Sequence, residues 1–393
     1  LQGLGAAAVM PIALTVVGDI YTPSERARIQ GYISSTFGIS SIIGPALGGF
    51  IVTYWTWPWV FYLNVPIGLA SLALLYAFHR EPPRAASRRL DWVGAALLIT
   101  GTSALIVLLS AAGGGGHAPG VGLSAPVQIG LVVVTAATLL AFIAWERRVP
   151  GPLLPLELLR RPLLATANGG ALLAGVLIMG LTSVVPTLVQ GVLERSPTVA
   201  GFSLAAMSIG WPLASSVSGF IMLRSGYRRT AQLGGLFIIA GGLVLVSVGA
   251  GSEPLQVAAG SALTGVGLGL TTTTYLIALQ SSVPYQERGL VTGVHAFARQ
   301  LGQALGAAVL GGLLTQRLAR YLAERGFDTA TGLEAVNRLL DPQQAATLAP
   351  PLAEALRAGL AVAVRQTFLA VVLIAVAVFI ISHFLPAHGP RDR

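Results

Sequence analysis

Few residues in this chain could do chemistry, and they stand far apart. Arg299 lies about ten residues inside an apolar stretch that runs from roughly 290 to 314. If that stretch crosses a bilayer, the charge costs roughly 2.5–3.5 kcal/mol on insertion scales. Arg299 then either lines a cavity and takes part in substrate or proton coupling, or snorkels inward or bonds backbone carbonyls. Asp19 closes the apolar stretch over 1–20. A carboxylate at a helix C-terminus opposes the macrodipole and calls for a cation. Arg26, or an arginine preceding Leu1, would serve, and a gating ion pair is preferred over a proton carrier. Glu25 with Arg26, and Glu287 with Arg288, read as loop ion pairs worth under about 1 kcal/mol. His295 could carry a proton by its ordinary pKa, or be structural. Asn168, Gln190, Trp211, Gln280 and Gln303 are candidate cavity-lining residues. Trp211-Pro212 could stack on a flat ligand, while Thr271 to Thr274 are expected to bond their own preceding turn.

Enzyme chemistry has little support. There is no cysteine, hence no thiolate metal site and no Cys nucleophile. HExxH, GxSxG and Walker patterns are missing. Gly265 to Gly269 fails the dinucleotide pattern. The chain reads as a non-enzyme without cofactor, and any pumping it does would draw on an ion gradient.

The elements that must carry these residues are membrane spans. Hydrophobic residues make up 54% and charged residues only 10%, against about 25% charge in soluble domains. Mean hydropathy is +0.75. At about 20 apolar residues per span, eleven candidates emerge: roughly 1–20, 30–53, 60–79, 91–112, 126–146, 165–190, 198–222, 231–250, 256–280, 290–314 and 362–385. All 24 basic residues are arginine, and the net charge is +9. They cluster in alternate loops: Arg26 and Arg28; Arg80, Arg84, Arg88 and Arg89; Arg147, Arg148, Arg160 and Arg161; Arg224, Arg228 and Arg229; Arg288; Arg391 and Arg393. The short loops between hold only Arg195. The positive-inside bias puts the first set in the cytoplasm and Leu1 outside, and it is a topology signal, not a nucleic-acid footprint. The apolar start carries no signal-peptide pattern, and a preceding N-terminal part is expected to be absent.

Tyr54, Trp55, Trp57 and Trp59 fit an outer aromatic belt, and Trp92 and Trp145 an inner one. Asp91 sits where an N-cap would open the fourth span. Ala112 to Gly122 reads as a flexible Gly-rich outer loop. Pro150 to Pro162 is the candidate boundary between halves. Residues 315–361 read as amphipathic outer helices, with a capping box at Thr331 to Glu334. Shifting the chain by 262 residues superposes Gly3 on Gly265, Glu25-Arg26 on Glu287-Arg288, Gly31 on Gly293, Gly44 on Gly306 and Gly49 on Gly311. Parallel repeats of this kind build transporters with a midplane site between halves. Within the second span, Gly44 and Gly48 form a small-xxx-small face for close helix packing, and Pro45 adds a bend.

These motifs, in their order, resemble the major facilitator superfamily in its fourteen-span drug:proton antiporter branch. Leu1 to Ala7 is similar to the fourth-span motif without its preceding arginine. Gly44-Pro45-Ala46-Leu47-Gly48-Gly49 is similar to the antiporter motif. Trp57 to Gly68 resembles the Trp-rich loop and sixth span, and Arg89 to Gly94 the start of the two extra central spans. Gly219 to Arg229, with Arg224, Gly226, Arg228 and Arg229, resembles the second-half inner-loop motif, departing from it at Leu223 and Tyr227. Arg299 to Gly302 resembles the thirteenth span. The resemblance implies an all-α membrane protein with the major facilitator fold, about eleven spans and two pseudo-symmetric bundles, lacking the first three spans. It implies a remainder of the N-terminal bundle over 1–79, two extra spans over 80–161 and a C-terminal bundle over 162–393. It further implies a monomeric, multi-pass plasma-membrane exporter of small hydrophobic or cationic molecules, driven by protons. Uptake by a symporter or facilitator of the same fold, and a truncated non-transporting membrane protein, remain open alternatives.

Overall fold

The computed structural model describes residues 2–56, 58–78, 91–112, 123–154, 156–328, 335–336, 338–340 and 347–387. Trp57, the arginines of the 79–90 loop, the Gly-rich loop over 113–122, the capping box at 331–334, Arg391 and Arg393 lie outside them.

The described chain is helical throughout: α1 Gln2–Ile20, α2 Pro23–Tyr54, α3 Trp59–Tyr62, α4 Asn64–Phe78, α5 Trp92–Ala112, α6 Ala125–Glu146, α7 Leu156–Leu159, α8 Pro162–Thr187, α9 Pro197–Val246, α10 Pro254–Ser281, α11 Tyr285–Ala323 and α12 Pro350–Ser382. Seven described segments are both long and apolar enough to cross a membrane: 59–78, 92–109, 125–146, 162–192, 197–246, 254–281 and 350–382. Helices α1 and α2, at 19 and 32 residues, are also of spanning length, α11 is the more polar for Arg299, Gln300 and Gln303, and α9, at 50 residues, is two passes.

The reversal in α9 falls at Gly226, whose φ of 80° and ψ of 170° break the helix. Only glycine reaches that region without steric cost. Glycine contacts with α10 prove the turn. Gly265 and Gly269 lie on the backbone of Met207 and Trp211, so residues 197–225 run parallel to α10. Gly260 meets Leu245, Thr264 meets Gly241 and Gly267 meets Gly234, so residues 227–246 run antiparallel to it. The chain therefore enters, turns at the cytoplasmic arginines Arg224, Arg228 and Arg229, and leaves.

The core is carried mainly by the C-terminal bundle. One large cluster joins Leu177, Leu181, Ile238, Leu268, Leu310 and Phe368 across α8 to α12. A second, toward the cytoplasmic ends, joins Met222, Tyr227, Tyr275 and Leu279 and includes Ala27 of α2. Helices α5 and α6 form an antiparallel pair, with Gly94 facing Glu146 and Gly101 facing Thr138 and Leu139. Asp91 caps α5 by accepting from the Gly94 N–H at 2.9 Å, as its position predicts. The same carboxylate accepts from Trp145 Nε1 at 3.0 Å. Glu146 accepts from the Leu153 and Leu154 amides.

Candidate functional site

Two regions bring the candidate residues together: a seam on the cytoplasmic side where the halves meet, and a polar patch inside the C-terminal bundle.

The seam starts at the C-terminal end of α1. Arg288, in the first turn of α11, donates from Nη1 to the Gly18 carbonyl at 2.9 Å and lies 3.5 Å from Asp19 Oδ1. Here a cation satisfies a terminal carbonyl and offsets the carboxylate that opposes the dipole. Asp19 is thus paired with Arg288 of α11, and its charge also acts on Arg26. Both side chains are about four-fifths buried. Gln280, buried at the end of α10, donates from Nε2 to the Leu14 carbonyl and to Thr292 Oγ1, each at 3.1 Å. Its amide lies 2.9 Å from where a Cβ on Gly18 would sit, so glycine there makes room for the bridge.

Among the described residues, no ion pair is found between Glu25 and Arg26 or between Glu287 and Arg288. The Glu25 carboxylate accepts from the Thr22 N–H at 2.9 Å and from Thr22 Oγ1 at 2.8 Å, capping α2. These bonds hold its pKa below the usual carboxylate value. Arg26 donates from Nε to the Tyr21 carbonyl at 2.8 Å. Burial, then the like charge of Arg288, lowers its pKa, while Tyr227 and Asp19 oppose that shift. The repeat-related arginines Arg26 and Arg288 thus meet at one inner face.

Beside this seam α2 crosses α9. Gly31 sits against Ser216, and a Cβ on Gly38 would lie 2.6 Å from the Ser208 carbonyl oxygen. The contact does not continue outward. A Cβ on Gly44 or Gly48 would meet nothing within 4 Å. The close approach is made instead at Gly31 and Gly38, roughly two to four turns nearer the cytoplasm. Pro45 and Gly49 lie in α2, and their surroundings are outside the described residues. The repeat twin Gly306 is tightly packed, on the Val176 backbone, whereas Gly311 and Gly293 meet nothing. Positions matched by the repeat therefore do unlike work.

The polar patch lies between α8 and α11. Gly302 rests on the Leu172 carbonyl and Gly306 on that of Val176, while Gly175 rests on the Arg299 backbone. The helices run parallel in that register, which sets Asn168 opposite residues 298–299. His295 and Arg299 lie on the same α11 stripe as Gly302 and Gly306. Both side-chain polar atoms of Asn168, Nδ1 of His295 and Nε of Arg299 are buried without a hydrogen-bond partner.

The other candidates scatter. Gln303 sits at the Gly175 crossing. Trp211 packs against the core, and Gly269 abuts its carbonyl. Gln190 lies in the π-helical turn Leu188–Val192, which follows Pro186, and lines an outer cavity of about 280 Å³ with Glu194, Arg195 and Arg357. Thr271, Thr272 and Thr274 bond carbonyls of the preceding turn; Thr273 Oγ1 is buried without a partner. In the inner-loop motif, Gly219 is buried, Arg224 stacks 4.0 Å from the Phe220 ring centroid, Arg228 donates from Nε to the Leu385 carbonyl at 2.9 Å, and Arg229 is exposed. Sequence reasoning missed Thr292 and the role of Arg288. The 262-residue repeat, which pairs Arg288 with Arg26, was the available signal.

The profile described as Major Facilitator Superfamily matches residues 1–307. The chain belongs to the major facilitator superfamily. It is a multi-pass membrane protein of a family of transporters, not enzymes. Over 346 residues it is 28% identical to "Multidrug resistance protein 3" of Bacillus subtilis, covering 88% of this chain and 67% of that one. It is 28% identical over 342 residues to "Puromycin resistance protein pur8" of Streptomyces alboniger, covering 85% of this chain and 66% of that one. "Multidrug transporter protein MdtP" of Bacillus subtilis is 27% identical over 328 residues, covering 83% of this chain and 59% of that one. The chain spans between 55% and 67% of the length of the first curated relatives it matches. A bacterial homologue of the human lysosomal transporter Spinster aligns over 98% of this chain and 88% of that one, with a TM-score of 0.46 and 15% identity.

Proposed function

We propose that this facilitator-family protein exports small, mainly hydrophobic molecules in exchange for protons, by alternating access between two helical halves. The observation that carries the reading is the one-sided seam. The halves are joined at their cytoplasmic ends by the Arg288 contacts to Gly18 and Asp19 and by the Gln280 bridge. Beyond Gly38 the close approach of α2 to α9 ends. A few polar bonds closing one end, with the other end apart, suit a gate that reverses: each bond is worth only about 0.5–1.5 kcal/mol net. Relatives named for multidrug transport or resistance in Bacillus subtilis and for puromycin resistance in Streptomyces alboniger support drug-like substrates.

The test is dye movement in inside-out vesicles holding the intact protein. A proton gradient, acid inside, drives dye inward if the protein is an antiporter. Dye entry only when the gradient is reversed would identify a symporter. Movement down the dye's own gradient, indifferent to pH, would identify a facilitator.

A further inference from the structure

The middle of the C-terminal bundle is electrostatically one-sided. Through α8, α9, α10 and α11 the sole acidic residue is Glu287, in the first turn of α11. Arg299 lies about 21 Å along that helix at 1.5 Å per residue, deep in the hydrocarbon region. No salt bridge to it is found among the described residues, and its Nε is buried and unbonded. One turn below, on the same stripe, His295 is only 7% exposed and its Nδ1 is also unbonded. Across the seam, Asn168 holds both an unbonded amide nitrogen and an unbonded oxygen. Buried polar atoms in native proteins nearly always find partners, and three neighbours lacking them on facing stripes need a common explanation. The glycine contacts at Gly175, Gly302 and Gly306 fix the two helices there, so the three side chains are held in place rather than free to drift apart.

We propose that Asn168, His295 and Arg299 form an anion-binding site in the seam between α8 and α11, which takes the carboxylate or similar acidic group of a small molecule. The donors suit an oxyanion. The guanidinium offers a planar fork, the amide two N–H groups, and the imidazole one N–H in its Nδ1–H tautomer. With no acidic residue on α8 to α11 beyond Glu287, the patch repels organic cations. As a substrate subsite it rests on the transport reading above; as a binding site it does not.

Binding and movement are therefore measured separately. Fluorescein, an anionic dye, and ethidium, a cationic one, are titrated against the intact purified protein by fluorescence anisotropy. Fluorescein is expected to bind, and Arg299→Gln to weaken it about tenfold or more, the worth of a charge-assisted bond. Arg299→Lys should fall between, keeping charge without the fork. Asn168→Ala guards against misfolding of the arginine variants and should weaken fluorescein severalfold. Ethidium should be unaffected by either substitution. Replacing gluconate by chloride tells a free halide from a bound carboxylate: displacement of the dye by millimolar chloride assigns the site to inorganic anions, and no displacement assigns it to the dye's own acid group, both being anion sites. Fluorescein affinity within twofold of wild type in both Arg299→Gln and Asn168→Ala would overturn the inference, as would binding of ethidium alone. If fluorescein binds as expected but no dye moves in vesicles, the transport reading fails and the site stands.

Discussion

Arg299 shows how much a single buried residue can cost. Its charge is worth roughly 2.5–3.5 kcal/mol against insertion at mid-helix, and among the described residues it has no ion pair to offset that. Arg299→Leu should therefore raise the melting temperature of the purified protein by a few degrees, by relieving a buried charge, while lowering binding of anionic dye. A melting temperature that falls by as much would show that the guanidinium holds the α8–α11 seam together. Glu25 is the opposite kind of residue. Bonds from Thr22 to its carboxylate hold its pKa below the ordinary carboxylate value, so its folded value lies below its unfolded one. Its capping contribution is present in full above the unfolded value and disappears as pH falls through the folded one. Amide exchange at the start of α2 should accelerate below about pH 4 relative to pH 6, and Glu25→Gln should abolish that difference. Exchange rates that stay pH-independent after correction for intrinsic chemistry would remove Glu25 as the cap.

At the scale of elements, glycine decides which helices touch. Gly302 has the Leu172 carbonyl where a side chain would go, and Gly306 has Val176. Gly302→Leu must force α8 and α11 apart, at a cost of about 1–3 kcal/mol or more. Gly44→Ala should change stability by no more than about 0.5 kcal/mol, since its Cβ meets nothing. Thermal melts of the two variants side by side test the contrast, and equal losses would refute it. The same contrast shows what the sequence could and could not disclose. Hydropathy and the arginine alternation located the helices and the cytoplasmic turn at Gly226, because both follow from composition along the chain. The Gly44 to Gly49 motif marks a face able to pack closely, but spacing on one helix does not name the neighbour. That choice depends on how α2 crosses α9, a tertiary fact, and the crossing falls at Gly31 and Gly38. The cap at Asp91 was legible because its bond spans only three residues. The Asp19–Arg288 pair was not, because its partners are 269 positions apart.

At the scale of the molecule, the seam between halves predicts a cycle that can be stopped. The cytoplasmic side is closed by Arg288 on Gly18 and Asp19, by Gln280 between Leu14 and Thr292, and by Gly289, where a Cβ would sit 3.6 Å from Thr15 Cγ2. A side chain at 289 would therefore touch that of residue 15, which makes the pair a candidate for an engineered disulfide. The chain has no native cysteine, so Thr15→Cys with Gly289→Cys introduces the only thiols in this sequence. If the seam must part for substrate to enter from the cytoplasm, oxidation should cross-link the pair in high yield and stop dye movement in inside-out vesicles. Reduction should restore it, and either single variant should be indifferent to oxidant. The polar contacts supply a graded version of the same test. Arg288→Gln removes the ion pair and weakens the cap on Gly18, and two conformers of a transporter differ by only a few kcal/mol. It should therefore lower the cross-linking yield severalfold without unfolding the protein, since the large apolar core lies elsewhere, in α8 to α12. Full transport by the cross-linked pair would mean that the cytoplasmic seam is a fixed joint between the halves, and the gate would have to be sought at another contact.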